Sequence, residues 1–256
     1  MDFETITYEV PEPGLGVLTL NRPASYNAVN WQMMTELETF WRERLDDFDT
    51  DVIILRGAGD KGFCAGLDMK ETARTAPEMR VSEFYRFQSR LARLNLAMRR
   101  APQPILCAVH GAAAGLGLSF VLASDIRVVT DDSRFCAAYI NIGLGGADMA
   151  CSYFLPRMIG AGRAYEIMYT GEFLSASEMM ALGLFSRVVD RSELMETVLG
   201  LARTLLTKNR LGLRLTKEAI NVNIDAGGLE AALAAEDRNQ TLLAIGPFLK
   251  NPEAGR

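Results

Sequence analysis

The chain holds 256 residues, 49% of them hydrophobic and 23% charged. That balance excludes a disordered or fibrous protein, and at this length burial alone can stabilise a fold without disulfides or structural metal. Lys plus Arg number 27 against 32 Asp plus Glu, a net charge of -5, and no basic block is long enough to track a phosphate backbone, so nucleic acid is not expected as a partner. The cysteines, Cys64, Cys107, Cys136 and Cys151, are widely spaced, with no Cys-x-x-Cys pair and a single histidine in the chain. They are expected to be reduced thiols of a cytoplasmic protein. The opening MDFETITYEV carries acids where a targeting leader needs a basic start. No apolar run approaches the length of a bilayer span, so no membrane association is expected.

In chain order, β-rich runs fall at residues 16–20, 52–55, 105–109, 126–129 and 188–189. Several are nearly continuous apolar stretches, the pattern of a sheet buried on both faces. Between them the spacing predicts a helix from Trp31 to Arg44. A longer one follows, in which Phe84, Phe87, Leu91, Leu94 and Met98 alternate by threes and fours. Strands alternating with helices predict an α/β protein. Ser175-Ala176-Ser177-Glu178 forms a capping box opening a helix over about residues 176–182, stopped by Gly183. Beyond Val189 the pattern is helical only. Leu194, Val198, Leu201 and Leu205 make one stripe, residues 211–224 a second element, and residues 229–245 an alanine-rich third. A boundary is therefore expected near residue 190, between a body (1–190) and a helical oligomerisation region (191–256).

Two glycine-bearing turns stand out, one over residues 61–70 (KGFCAGLDMK) and one over residues 110–119 (HGAAAGLGLS). A strand that ends in small residues and opens a helix aims free backbone N–H groups and the positive end of the helix dipole into one spot. Such a spot binds an anion or a developing oxyanion. The second turn is not a dinucleotide fingerprint, because Phe120 stands where the third glycine or alanine belongs, and no Gly-Lys-Ser or Gly-Lys-Thr exists to make a P-loop.

Taken in order, Asn21-Arg22-Pro23 with Asn27-Ala28, Phe63-Cys64-Ala65-Gly66-Leu67-Asp68, His110-Gly111 with Gly115-Leu116-Gly117, Ser124-Asp125-Ile126, Ile142-Gly143-Leu144, and Thr170-Gly171 with Ser175-Ala176 and Gly183-Leu184 resemble the crotonase superfamily, the enoyl-CoA hydratase/isomerase family. The resemblance implies a spiral of ββα turns with a C-terminal helical region that builds a homotrimer or a dimer of trimers. It implies an acyl-CoA substrate in lipid or acid catabolism, and no cofactor beyond the coenzyme A the substrate carries. It also implies an oxyanion hole for the thioester carbonyl, with the N–H groups of Ala65 and Leu116 as donors by position. Removing a proton beside a thioester puts charge on that carbonyl oxygen, where two preorganised donors favour the enolate over the ground state. Contacts to CoA are expected from Arg22, Ala28, Cys64, Leu67 and Lys70. Phe248 and Lys250 join them, in a tail resembling the family's Phe-x-x-Lys ending.

Hydratases of this family use two glutamates to position a water, and here the matching positions hold Ser119 and Tyr139, neither an ionised acid near neutral pH. The nearest carboxylate is Asp148. It resembles, one residue out of register, an aspartate of the dienoyl-CoA isomerases, and equally fits a turn or helix-cap residue. His110 is expected to pack or hydrogen-bond, Asp68 to brace its loop, and Asp125 to cap. Three activities stay open on the sequence. One moves a double bond or adds or removes water using Asp148 with Tyr139 or Ser119. A second cleaves a carbon–carbon bond or decarboxylates, the leaving group supplying the enolate. The third is CoA binding without turnover.

Overall fold

Continuous apolar runs need cover on both faces. The computed structural model describes residues 3–245 and shows how the chain supplies that cover. The strands are β1 (Ile6–Glu12), β2 (Leu15–Leu20), β3 (Val52–Gly57), β4 (Ile105–Val109), β5 (Ala112–Ala114), β6 (Ile126–Thr130), β7 (Arg134–Cys136), β8 (Leu174–Ser175) and β9 (Arg187–Val189). Six form one sheet in the order β1-β2-β3-β4-β6-β9, antiparallel at β1 and parallel elsewhere. A second sheet runs β5-β7-β8, and bridges from Gly62 to Gly111 and from Cys64 to Ala113 bring the first glycine-bearing turn alongside it.

The helices are α1 (Trp31–Arg44), α2 (Met69–Thr75), α3 (Val81–Arg100), α4 (Leu116–Ala123), α5 (Cys151–Ile159), α6 (Ala161–Thr170), α7 (Ala176–Ala181), α8 (Leu194–Leu206), α9 (Arg210–Asn223) and α10 (Leu229–Ala244). Each repeat is a strand in the large sheet, a short strand in the small one, then a helix. β4, β5 and α4 make one turn of this spiral, and β6, β7 and α5 the next.

Side chains of a strand alternate between faces, and the two cores divide accordingly. Ile53 and Leu55 of β3 join Leu18, Leu20, Ile105 and Cys107 against the inner faces of α1 and α3. Val52 and Ile54 join Leu15, Leu106 and Val128 under Leu194, Val198 and Ala202 of α8. α8 follows directly on the expected boundary near residue 190, yet it covers the second face of the sheet and completes the body. Caps act where the sequence puts them. Asn30 accepts the Met33 N–H to open α1, and Ser175 with Glu178 forms the full capping box of α7.

α9 is tied to the body by a buried charge cluster. Asp125 was expected as a cap; instead it accepts from Arg99 Nη1 at 2.5 Å, Lys217 Nζ at 2.9 Å and the Ile105 N–H at 2.8 Å. Lys217 has a side chain only 5% exposed and also donates to the carbonyls of Met98 and Gln103. Burial pushes its pKa below the ordinary lysine value, with Asp125 opposing. Neutralising Asp125 leaves two cations facing each other, one of them desolvated, so Asp125→Asn is expected to cost about 3 kcal/mol. In a thermal melt that loss lowers Tm by roughly 10 °C. α10 packs on α9, and none of its residues is buried.

Candidate active site

The first motif is a clasp between loops. Asn27 donates from Nδ2 to the carbonyls of Ala58 and Gly62 and accepts the Arg22 N–H, fixing the loop before α1 to the end of β3. Arg22 Nη1 bridges to Asp68 Oδ2 at 2.9 Å and to the Ala28 carbonyl at 2.5 Å. Asp68 caps α2 by accepting the N–H groups of Lys70 and Glu71. Burial alone would raise the Asp68 carboxyl, but those backbone donors and the Arg22 guanidinium outweigh it and hold its pKa below the usual value. The bracing role expected of Asp68 is its role here. Arg22, expected at a CoA phosphate, gives its Nη1 to that brace.

The clasp sets the first turn against the start of α4. The approach is closest at Gly117, where an added Cβ would lie 2.1 Å from the Cys64 carbonyl oxygen, and at Gly66, where it would lie 2.7 Å from that of Ala114. Gly66 sits at φ +91°, a conformation open to residues without a Cβ.

Which N–H groups stay free then follows from the hydrogen bonds. The Ala65 N–H donates to the Tyr26 carbonyl at 3.0 Å, so Ala65 is not an unpaired donor, and that expectation is corrected. Its neighbour two residues on behaves differently. Val29 N–H bonds to the Gly66 carbonyl and Asp68 N–H to the Val29 carbonyl, and between them the Leu67 N–H meets no acceptor among the described residues. Leu116 is the first residue of α4, where the N–H has no intrahelical partner, and it too meets no acceptor among the described residues.

One helical turn along α4 from Leu116 is Ser119, fully buried, sharing a 2.7 Å hydrogen bond with the Tyr139 hydroxyl. Cys151 completes a triangle, its sulfur 3.6 Å from Ser119 Oγ and 3.8 Å from Tyr139 Oη. The positions matched to the two glutamates therefore meet, and the Cys151 thiol, which no sequence motif singles out for this site, joins them. Burial pushes the Tyr139 pKa well above its ordinary value and the Cys151 thiol up to about 11, with the nearby charge of Asp148 adding a little to each. All three groups keep their protons at neutral pH.

Asp148 leads into Cys151, whose N–H donates to the Asp148 carbonyl at 2.8 Å. Its Oδ1 accepts from Gln88 Nε2 of α3 at 2.6 Å and from the Met149 N–H at 2.8 Å, while Oδ2 has no partner among the described residues. The next two residues, Met149 and Ala150, lie at φ +46° and +68° without being glycine. Such backbone costs roughly 1–2 kcal/mol per residue and persists where its surroundings over-determine it. A plain turn carrying a chance aspartate needs no such strain.

Other expected contacts fall differently. Cys64 is wholly buried, its thiol donating to the Asn27 carbonyl at 3.2 Å and its pKa pushed up by burial to about 12. Both its backbone groups are paired as well, so it packs the turn and offers CoA nothing. Ala28 is buried, and Lys70 is exposed on the first turn of α2, its ammonium group without a partner among the described residues. Phe248 and Lys250 lie outside the described residues. His110 is buried at the end of β4, and burial followed by the Arg191 charge pushes its pKa down, leaving it neutral. It bonds to none of Ser119, Tyr139, Cys151 or Asp148 among the described contacts. No group of three metal-ligating side chains forms among the described residues.

A spiral of ββα turns in which two loops converge on a helix start defines an α/β enzyme of the crotonase fold. Comparison with known proteins agrees: the enoyl-CoA hydratase/isomerase family model matches residues 11–244. The chain is 34% identical over 245 residues to the probable enoyl-CoA hydratase echA12 of Mycobacterium leprae, covering 94% of this chain and 83% of that one. It is 34% identical to the 1,2-epoxyphenylacetyl-CoA isomerase of Escherichia coli, covering 90% of this chain and 87% of that one. The crystal structure of an enoyl-CoA hydratase from Mycobacterium smegmatis superposes with a TM-score of 0.88 at 29% identity, over 95% of this chain and 92% of that one. This chain belongs to the enoyl-CoA hydratase/isomerase family and is an acyl-CoA-processing enzyme of it.

Proposed function

We propose that the enzyme moves a carbon–carbon double bond within an enoyl-CoA by a proton shift through an enolate. The observation that carries this is that, among the described residues, Asp148 is the one carboxylate acting on the buried Tyr139 and Cys151, which with Ser119 keep their protons. Isomerisation needs one base that takes a proton from one carbon and returns it to another, together with donors for the enolate oxygen. Hydration needs more, since a water must be activated while a second group protonates the α-carbon. Ser119, Tyr139 and Cys151 supply no second base.

In this reading the thioester oxygen lies between the N–H groups of Leu67 and Leu116. Asp148 Oδ2 removes the α-proton of a β,γ-enoyl-CoA, the electron pair moves into the thioester as the dienolate, and the protonated carboxyl, open to exchange with solvent, returns a proton to the γ-carbon to give the α,β-enoyl-CoA. Product and substrate have one formula, and no cofactor is consumed. Lys70, exposed on the first turn of α2, is the cation that would meet a CoA phosphate in this reading. Four buried, unpaired thiols suit a reducing, cytoplasmic setting.

The test is incubation with α,β-enoyl-, β,γ-enoyl- and dienoyl-CoA thioesters in heavy water, read by chromatography and mass spectrometry. The expected result is interconversion of isomers with deuterium at carbon and no gain of water. A hydroxyacyl-CoA product, or loss of carbon dioxide from a β-carboxyacyl-CoA, would overturn the reading.

The copies are proposed to assemble as a trimer or a dimer of trimers through α9 and α10. Support comes from Ile220 and Val222 on α9, Ile224 at its C-terminal cap, and Leu229, Leu233 and Leu242 on α10, all between 46% and 74% exposed. Light scattering at micromolar concentration is expected to give a multiple of three chain masses; a monomer mass counts against it.

A further inference from the structure

The geometry points to Gln88 as the positioning residue of Asp148, an inference that rests on Asp148 being the base. Gln88 lies on α3, sixty residues from Asp148 in sequence, and its Nε2 reaches Oδ1 at 2.6 Å. It is the sole side chain bonded to Asp148 among the described residues, and no lysine or arginine pairs with that carboxylate there. The choice of a neutral amide has a chemical consequence. An arginine would orient the carboxylate but also pair its charge and blunt it as a base; an amide orients it and adds no charge. With Oδ1 held by Gln88 and by the Met149 N–H, Oδ2 is the oxygen left to exchange a proton.

α3 is built to hold that direction. Phe87, next to Gln88, is buried and packs its ring on Trp31 with centroids 4.2 Å apart, and Leu91 and Leu94 are buried along the same helix. Asn95, two helical turns beyond Gln88 on the same face, donates to the Met149 carbonyl at 3.3 Å. The helix thus grips the loop twice, once at the Asp148 side chain and once at the backbone in left-handed conformation behind it. Asn95 serves the loop; Gln88 serves the carboxylate.

Gln88→Leu keeps the side-chain bulk and removes the donor. Compared with the wild type on a β,γ-enoyl-CoA, it is expected to lower kcat about tenfold to a hundredfold with KM within a factor of about two, because misdirection of a base is felt in the transition state. The kinetic isotope effect with substrate deuterated at the transferred position should rise, since proton transfer becomes slower than the other steps. In an Asp148→Asn background, Gln88→Leu should cause no further loss of the residual turnover, as expected of two residues acting through one carboxylate. Gln88→Asn, which keeps the donor one methylene short, serves as the second variant should Gln88→Leu fold poorly, and is expected to fall between. Unchanged kcat and isotope effect in a folded Gln88→Leu, or an equal loss in both backgrounds, overturns the role of Gln88 while leaving Asp148 as the base. Full activity in Asp148→Asn overturns the base itself and this inference with it.

Discussion

Replacing Leu67 with proline is expected to lower turnover by about a hundredfold to a thousandfold, the cost of deleting one preorganised donor from an oxyanion hole. Proline removes the N–H and fixes φ near -65°. At most positions of a paired strand it would also break a ladder bond, but the bridge between Val29 and Leu67 uses the Val29 N–H and the Asp68 N–H and leaves that of Leu67 out. Gly66 precedes the site and has no Cβ for the ring to strike. Leu67→Ala trims the side chain and keeps the donor, so it should retain turnover within a few-fold. Ala65→Pro makes the opposite control: it deletes the bond to the Tyr26 carbonyl and should show itself as lost stability. A folded Leu67→Pro with wild-type kcat removes Leu67 from the hole, and steady-state kinetics beside a thermal melt on the three variants decides it.

That the N–H left unpaired is that of Leu67 rather than Ala65 is a matter of pairing that no local signal in the sequence reveals. Both residues lie in the motif that carries the resemblance, two positions apart, where a regular strand would aim their N–H groups alike. Gly66 at φ +91° turns the chain between them, so one N–H faces Tyr26 and the other is left over. By contrast, α1 and the α7 capping box were legible because their causes are local: apolar periodicity, Asn30 at an N-cap, Ser175 three residues before Glu178. Strands β5 and β7 were not, being three residues each and drawn from Ala-Ala-Ala and Arg-Phe-Cys. Little in their own side chains favours a strand. They form because the preceding strands of the large sheet deliver them side by side.

The same division holds within the site. Ser119 and Tyr139 were found through the family pattern, which fixes position and says nothing of contact; the 2.7 Å bond between them belongs to the fold. Cys151 and Gln88 lay beyond reach. The apolar stripe of α3 announces which face is buried, and Gln88 sits at its margin, where a polar side chain reads as solvated surface. Only the return of the loop before α5 to that helix gives it a partner.

Asp148→Asn should abolish most turnover, on the order of a hundredfold to ten-thousandfold, while acyl-CoA still binds. The substitution keeps shape and volume and removes the charge, so the loop after it, held through the Asp148 carbonyl, the Met149 carbonyl and Asn95, has no reason to move. No neighbour can take over. Burial pushes the Cys151 thiol up to about 11 and the Tyr139 hydroxyl well above its ordinary value, so mildly alkaline buffer should not restore the variant. Equilibrium binding of a saturated acyl-CoA, measured beside kcat, separates lost chemistry from lost affinity. Tyr139→Phe gives the opposing test. It removes a hydroxyl that burial keeps protonated at neutral pH, and on the proton-shift reading its loss in kcat should be smaller than that of Asp148→Asn by at least about tenfold. The reverse order, an active Asp148→Asn beside a crippled Tyr139→Phe, would mean that the substrate makes its own enolate by losing a group and that the buried hydroxyls do no more than orient it.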